Sequence, residues 1–124
     1  MANLLEVLPE YVLYWLVQRG TERTLTEHEV LLKEGQKNDC LYIVLDGLFS
    51  VVVTKAANKQ LEHRGPGSVL GEDSFFTDGL PSSTVIAQEP SLVLELPRTL
   101  LKDKMQYDHQ YASDFYKALL TTMS

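Results

Sequence analysis

The chain has 124 residues, 44% hydrophobic and 23% charged, which are the proportions of an ordinary globular protein with one core. No run approaches the ~18 consecutive apolar residues of a membrane span, and the N-terminus lacks the basic segment of a secretory signal. The net charge of −6 disfavours general affinity for nucleic acid, and the single cysteine, Cys40, excludes an internal disulfide. We therefore expect one domain covering residues 1–124, located in the cytoplasm.

The first helix is predicted over residues 4–19. Pro9 stands where a helix can begin, and apolar residues such as Val12 and Leu16 recur at steps of three and four. Gly20 then provides a stop. The apolar side chains of this helix are interpreted as packing residues.

Between residues 21 and 97, short apolar runs alternate with turn signals, a pattern typical of an all-β sandwich or barrel. Strands are predicted at 29–33, 40–45, 48–54, 59–63, 84–87 and 91–96, with a further apolar run beginning at Val69. The pair Asp46-Gly47 is the strongest hairpin signal in the chain, because such a pair accepts the positive φ of a tight two-residue turn. Ala57-Asn58 predicts another turn.

Helical patterns return after Pro97, which ends the last strand. A short helix is predicted from residue 98 to 105, Asp108 can cap a second one, and together the C-terminal helices occupy about 98–124. The apolar side of the second helix consists of Tyr111, Ala112, Phe115, Tyr116, Leu119 and Met123. Two interpretations stay open: this side packs on the β core of its own chain, or it forms the seam of a homodimer.

The stretch from Val69 to Ala87 is interpreted as a cradle for a small anionic molecule. Its apolar strand breaks at Gly71, which permits tight backbone geometry, and a short turn with free N–H groups follows. N–H groups at the start of a helix favour an anion. Glu72 beside them would accept hydrogen bonds from sugar hydroxyls, so a phosphate-sugar ligand fits this stretch best.

Three blocks of the chain form a specific combination. They are Leu41-Tyr42-Ile43-Val44-Leu45-Asp46-Gly47, Gly65-Pro66-Gly67-Ser68-Val69-Leu70-Gly71-Glu72, and Leu94-Glu95-Leu96-Pro97-Arg98. With Leu8-Pro9-Glu10 and Gly35, they make nearly the whole chain resemble the cyclic nucleotide-binding domain of the catabolite-activator and protein-kinase-A-regulatory-subunit type. The resemblance implies a mainly β fold: a double-stranded β-helix (a jelly-roll or cupin-like β-roll) with an N-terminal helix and two C-terminal helices. It also implies a regulatory module whose cassette holds a cyclic nucleotide.

The resemblance carries over residue by residue onto this cassette. Gly71 and Glu72 match the family's Gly-Glu pair, and Glu72 is expected to accept a hydrogen bond from the ribose 2′-hydroxyl. The N–H groups of Asp73 and Ser74 are expected to face the phosphate. Ser83 matches a small hydroxyl residue next to the phosphate.

The chain departs from the family pattern at Ser82, where the cAMP binders of the family carry an arginine that pairs with the cyclic phosphate. A hydrogen bond to a charged group contributes about 1.5–3 kcal/mol, so its loss should weaken phosphate binding by roughly ten- to over a hundredfold. Ser82 still donates one neutral hydrogen bond, and Ser83 and Thr84 complete the expected ligand-binding set. Arg64 would supply positive charge if its side chain reaches the pocket.

Two functions follow from these residues. The first is a regulatory module that binds cAMP or cGMP weakly, or a related anion, in the cassette of residues 71–83. The second is a degenerate module that keeps the fold for dimerisation or for contact with an unknown protein.

Other classes of function are not expected. His28, His63 and His109 lie on separate predicted elements without the paired spacing of a metal site, and no nucleophile–base set is present. We therefore expect no enzyme, no metal and no cofactor. Binding of DNA in the catabolite-activator manner needs a helix-turn-helix after the C-terminal helix, and since the sequence stops at Ser124, we expect no DNA contact of this kind.

Overall fold

The structure, a computed structural model, describes residues 3–55 and 58–123. In this part of the chain two helices come first, eight strands with one helix among them follow, and two helices come last. The elements are α1 (Leu4–Val7), α2 (Glu10–Arg19), β1 (Thr21–Leu25), β2 (Val30–Leu32), β3 (Cys40–Asp46), β4 (Phe49–Lys55), β5 (Asn58–Arg64), β6 (Val69–Leu70), α3 (Glu72–Thr77), β7 (Ser83–Ala87), β8 (Ser91–Pro97), α4 (Arg98–Tyr107) and α5 (His109–Met123).

The N-terminal helical region is divided in two, so the prediction of one continuous helix over 4–19 was wrong. Leu8 has an extended backbone with φ −67° and ψ 135°, and it separates α1 from α2. A residue that precedes proline is pushed out of the helical region by the proline ring. Pro9 then occupies the N-cap of α2, and Gly20 follows its last residue as predicted.

The strands form two four-stranded sheets in which every pairing is antiparallel. One sheet has the order β1-β8-β3-β6 and the other the order β2-β7-β4-β5. The predicted fold class, a mainly β roll with flanking helices, is confirmed. The predicted strands lie within one or two residues of the observed ones. Of the predicted turn Ala57-Asn58, the first residue lies outside the described part of the chain.

The hairpin predicted at Asp46-Gly47 is wrong, because β3 and β4 belong to different sheets. Asp46 pairs with Leu92 of β8, whereas Phe49 pairs with Ala87 of β7. Gly47, at φ 99°, carries the chain from one sheet to the other. A Cβ atom at this position would lie 2.1 Å from Oγ of Ser91, so the crossing needs glycine.

The apolar residues form two clusters, one between the sheets and one beneath the helices. Strand β3 serves both, because successive side chains of a strand point to opposite faces. Leu41 and Ile43 lie beneath the helices, whereas Tyr42 and Val44 lie between the sheets. The space between the two sheets therefore has an apolar core of its own, and the cassette of residues 71–83 lies beside this core.

The apolar side of α5 packs largely onto its own chain. Asp108 accepts a hydrogen bond from the backbone N–H of Tyr111 at 3.0 Å and so caps α5 as predicted. Tyr111, Phe115 and Leu119 are buried in the cluster beneath the helices, and the Tyr111 ring contacts Trp15 of α2 at a centroid distance of 5.3 Å. Docking onto the core thus accounts for these three residues, whereas Tyr116 stays partly exposed. A homodimer stays a prediction.

Candidate functional site

A cavity of about 150 Å³ opens beside the cassette, between α3 and the sheet that contains β4, β5 and β7. Its wall combines an apolar floor with a set of polar and charged side chains. The lining residues are Leu32, Val51, Val53, Glu62, Arg64, Val69, Leu70, Gly71, Glu72, Asp73, Ser82, Ser83 and Val85. Such a wall suits a small polar molecule with one apolar side.

The turn that begins the cassette depends on Gly71. This residue directly follows β6, has φ 85° in the left-handed region, and serves as the N-cap of α3. A Cβ atom here would lie 2.9 Å from Nδ2 of Asn38 and 3.0 Å from the carbonyl oxygen of Cys40. The close approach and the positive φ both require glycine, and the resulting turn places Glu72 and Asp73 at the cavity.

Glu72 lies half-buried in the wall of the cavity. Burial raises the pKa of its carboxyl above the usual range, and the nearby Asp73 acts in the same direction. A hydrogen bond from its own backbone N–H and the attraction of Arg64 oppose this rise without cancelling it. The cavity therefore holds a carboxyl group whose negative charge is poorly compensated within the described protein.

Replacing Glu72 by glutamine is expected to raise the free energy of unfolding at neutral pH by about 1 kcal/mol, the usual size of a single-site change. The folded state holds the Glu72 proton to a higher pH than the unfolded chain does. Wild-type stability therefore falls, relative to the variant, as the pH rises from the unfolded pKa through the folded pKa. Urea denaturation of Glu72→Gln at several pH values measures this widening difference.

The matched control is Glu22→Gln, which changes an exposed carboxyl of β1 to an amide away from the cavity. If Glu72→Gln were less stable than the wild type at neutral pH, the Glu72 carboxylate would stabilise the fold, and the expectation would be wrong.

The Asp73 carboxylate is held by three hydrogen-bond donors. Oδ2 accepts from the backbone N–H of Ser82 at 3.0 Å and from the Ser82 hydroxyl at 2.5 Å, and Oδ1 accepts from the N–H of Ser74 at 2.8 Å. Burial opposes ionisation of Asp73, but these hydrogen bonds outweigh it and lower the pKa of the carboxyl. Asp73 is thus a fixed negative charge that joins the two ends of the cassette loop.

Arg64 reaches the cavity from β5. It lies two residues after Glu62, on the same face of the strand, and donates a hydrogen bond to the Glu62 carboxylate at 2.6 Å. A second hydrogen bond, of 3.2 Å, goes to the carbonyl oxygen of His63. Among the described lining residues Arg64 carries the only positive charge, against the carboxylates of Glu62, Glu72 and Asp73.

The structure brings five of the seven predicted site residues to the cavity: Gly71, Glu72, Asp73, Ser82 and Ser83. Ser74 is buried behind the turn, where its Oγ accepts a hydrogen bond from Asn38 and donates one to the carbonyl of Gly71. Thr84 also lies outside the lining, and its hydroxyl accepts from the backbone N–H of Glu34 at 3.1 Å.

Sequence reasoning missed Glu62 and the apolar floor of the cavity. The alternation of side chains along a strand offered one signal, because a strand that directs Arg64 to the cavity also directs Glu62 there. The floor depends on strand pairing: Val51 of β4 lies between Glu62 of β5 and Val85 of β7. Such a juxtaposition of distant residues has no local pattern in the sequence.

Comparison with known proteins agrees with this architecture of a roll with a cassette cavity. Residues 22–108, more than half of the chain, match the family described as cyclic nucleotide-binding domain. The chain belongs to this family, whose members are regulatory modules.

One curated relative is a cGMP-dependent protein kinase of Eimeria tenella, 33% identical over 73 residues, which are 59% of this chain and 7% of the kinase. The catabolite activator protein of Thermus thermophilus has a TM-score of 0.81 at 20% identity, over 98% of this chain and 58% of that one. A c-di-GMP responsive global regulator of Xanthomonas campestris has a TM-score of 0.82 at 14% identity, over 93% and 57%. The chain thus spans a small part of the kinase and less than two thirds of these two solved chains.

Two further findings concern the described residues alone. None of the helices in residues 3–55 and 58–123 has the length and apolar character that crossing a membrane requires. Within the same ranges, no three His, Cys, Asp or Glu side chains are grouped so as to hold a metal ion.

Proposed function

We propose that the cavity at residues 71–83 is a weak sensor site for cAMP or cGMP within a single regulatory module spanning residues 1–124. The observation that carries the proposal is Glu72: a half-buried carboxylate beside the Gly71 turn, in a cavity that also contains Arg64. A carboxylate accepts hydrogen bonds from sugar hydroxyls, and a guanidinium attracts a phosphate. The two groups suit the two ends of a sugar phosphate.

The resemblance to the family supports individual roles. In the proposed complex Glu72 accepts a hydrogen bond from the ribose 2′-hydroxyl, while the hydroxyl groups of Ser82 and Ser83 donate hydrogen bonds to the phosphate. Arg64 supplies the positive charge that an arginine at position 82 supplies in the cAMP binders of the family. Ser74 and Thr84 act indirectly, since their hydroxyls hold the turn and the start of β7 in place.

Size and charge both favour low affinity. Ligand pockets usually measure about 300–1,000 Å³, and a cavity of about 150 Å³ suits only the sugar-phosphate part of a nucleotide. Three carboxylates line it, and its guanidinium is already paired with Glu62. A phosphate entering this site meets net repulsion, and it has to share the Arg64 guanidinium with the Glu62 carboxylate.

A degenerate module that serves dimerisation or contact with another protein is the second candidate. The observation in its favour is the outer side of α5, where Tyr116 is 39% and Leu120 68% exposed. Exposed apolar side chains on one helix suit a partner helix.

We also propose that the module is not catalytic and acts in the cytoplasm without a cofactor or DNA contact of its own. Burial raises the pKa of the Cys40 thiol, which makes it a poor nucleophile. Regulatory function in the family and the single cysteine of the chain support these assignments.

Isothermal titration with cAMP and with cGMP tests the proposed site. We expect weak saturable binding by the wild type and binding that is about tenfold tighter for Ser82→Arg, because the variant adds a charged hydrogen bond to the phosphate. The matched control is Ser113→Arg, which adds the same charge at an exposed serine of α5 and should leave the affinity unchanged. Absence of binding by both the wild type and Ser82→Arg would favour the degenerate module.

A further inference from the structure

We propose that Asp73 acts as a built-in competitor of the ligand and is the residue that sets the affinity of this cavity for anions. The inference rests on the proposed function and deepens it. Its basis is the pairing of Asp73 with Ser82, which occupies hydrogen-bond donors that an entering phosphate needs.

The contacts of Asp73 are those of a bound anion. One carboxylate oxygen receives both donors of Ser82, the N–H at 3.0 Å and the hydroxyl at 2.5 Å. The other receives the N–H of Ser74 at 2.8 Å. Phosphate and carboxylate oxygens use the same kind of donor, so an external phosphate and the Asp73 side chain compete for Ser82.

Asp73 has an advantage over a free ligand in binding the Ser82 donors, because both residues belong to the same loop of the chain. Asp73 and Ser82 are nine residues apart and both line the cavity. Their pairing is therefore intramolecular and always present at a high effective concentration, whereas a nucleotide must first bind from solution. A ligand must displace the carboxylate and then lie beside its charge.

The neighbours of Asp73 do not relieve this repulsion. Arg64, the cation among the described lining residues, lies 2.6 Å from the carboxylate of Glu62. Glu72 adds a further carboxyl next to Asp73 in sequence. Replacement of Asp73 by asparagine thus weakens the hold on the two Ser82 donors, since a neutral amide oxygen is a weaker acceptor than a carboxylate, and lowers the negative charge of the wall at the same time.

The test compares wild-type protein, Asp73→Asn and Asp46→Asn. Asp46 lies exposed at the end of β3, so its variant removes one negative charge without touching the cavity. We expect cAMP to bind Asp73→Asn at least about tenfold more tightly than the wild type, and Asp46→Asn like the wild type. A merely structural role for Asp73 predicts the opposite sign, because a loosened cassette loop binds worse.

A second probe separates this inference from the proposed function. Inorganic phosphate is titrated into the same proteins while the NMR shift of the Ser82 amide is followed. If Asp73→Asn gains affinity for phosphate and not for cAMP, Asp73 is the competitor and the proposed cyclic-nucleotide function is overturned. If Ser82→Arg gains affinity for cAMP while Asp73→Asn gains none for either probe, the Asp73 inference is overturned and the proposed function stands.

Equal or weaker binding of both probes by Asp73→Asn also overturns the inference. Circular dichroism verifies that the variant is folded. If Asp73→Asn does not fold, Asp73→Ser is used, because serine also removes the charge and keeps a small polar side chain.

Discussion

The double variant Ser82→Arg/Asp73→Asn is expected to bind cAMP two to three orders of magnitude more tightly than the wild type. A charged hydrogen bond from the new arginine contributes about 1.5–3 kcal/mol, and about 1.4 kcal/mol corresponds to a factor of ten. Removal of the Asp73 charge adds a gain of about one further factor of ten. Both changes act on the same phosphate, so their gains in affinity combine.

The two substitutions should not act independently. In Ser82→Arg alone, the new guanidinium lies next to the Asp73 carboxylate, which already accepts both donors of Ser82. An ion pair between them would satisfy the arginine before any ligand enters. We therefore expect the gain of the double variant to exceed the product of the gains of the single variants, which is the behaviour of residues in direct contact.

Titration calorimetry with cAMP of the wild type, Ser82→Arg, Asp73→Asn and the double variant measures how far the two substitutions depend on each other. Ser113→Arg/Asp46→Asn is the matched control, since it makes the same change in charge at two exposed positions away from the cavity. Equal affinities of the double variant and Ser82→Arg would show that Asp73 does not compete for the arginine. Equal affinities of the double variant and its control would show that net charge alone attracts the nucleotide.

The stability of the fold is expected to depend strongly on Leu119 and hardly at all on its neighbour Leu120. Leu119 is 1% exposed, in the cluster beneath the helices, whereas Leu120 is 68% exposed on the same helix. Leu→Ala at a buried position costs about 2–5 kcal/mol, through lost burial and the cavity left behind. Leu→Ala at an exposed position usually changes the free energy of unfolding by less than about 0.5 kcal/mol.

Urea denaturation of Leu119→Ala and Leu120→Ala measures this contrast with the same substitution at adjacent residues. An unchanged slope with a lower midpoint identifies a pure loss of stability for Leu119→Ala. A large loss for Leu120→Ala, dependent on protein concentration, would contradict the expectation and show that the outer side of α5 is buried in a dimer. The pair therefore also tests the dimer seam that the apolar pattern of α5 left open.

Helices, strands and turns that depend only on residues close together in the sequence were predictable. The strands after residue 21 follow from apolar runs between turn residues, and the cap at Asp108 follows from an aspartate before an apolar helical pattern. The break at Leu8 was predictable in principle, since it needs only the rule that a residue before proline leaves the helix. The predicted turn at Gly71 is present, where both the backbone angle and the close approach demand glycine, and the ligand site beside it stays a prediction.

Which strands pair with each other, and which distant residues come into contact, depends on the tertiary structure. Asp46-Gly47 has the composition of a hairpin turn, yet β3 pairs with β8 and β4 with β7, so the turn crosses between sheets. Glu62 joins the cavity through strand pairing, and Asp73 meets Ser82 only when the cassette loop closes. The strands after residue 21, the two C-terminal helices and the glycine turn could be read from the sequence, because they depend on near neighbours. Only the folded chain decided that the donors of Ser82 face a carboxylate, because that contact joins two ends of a loop.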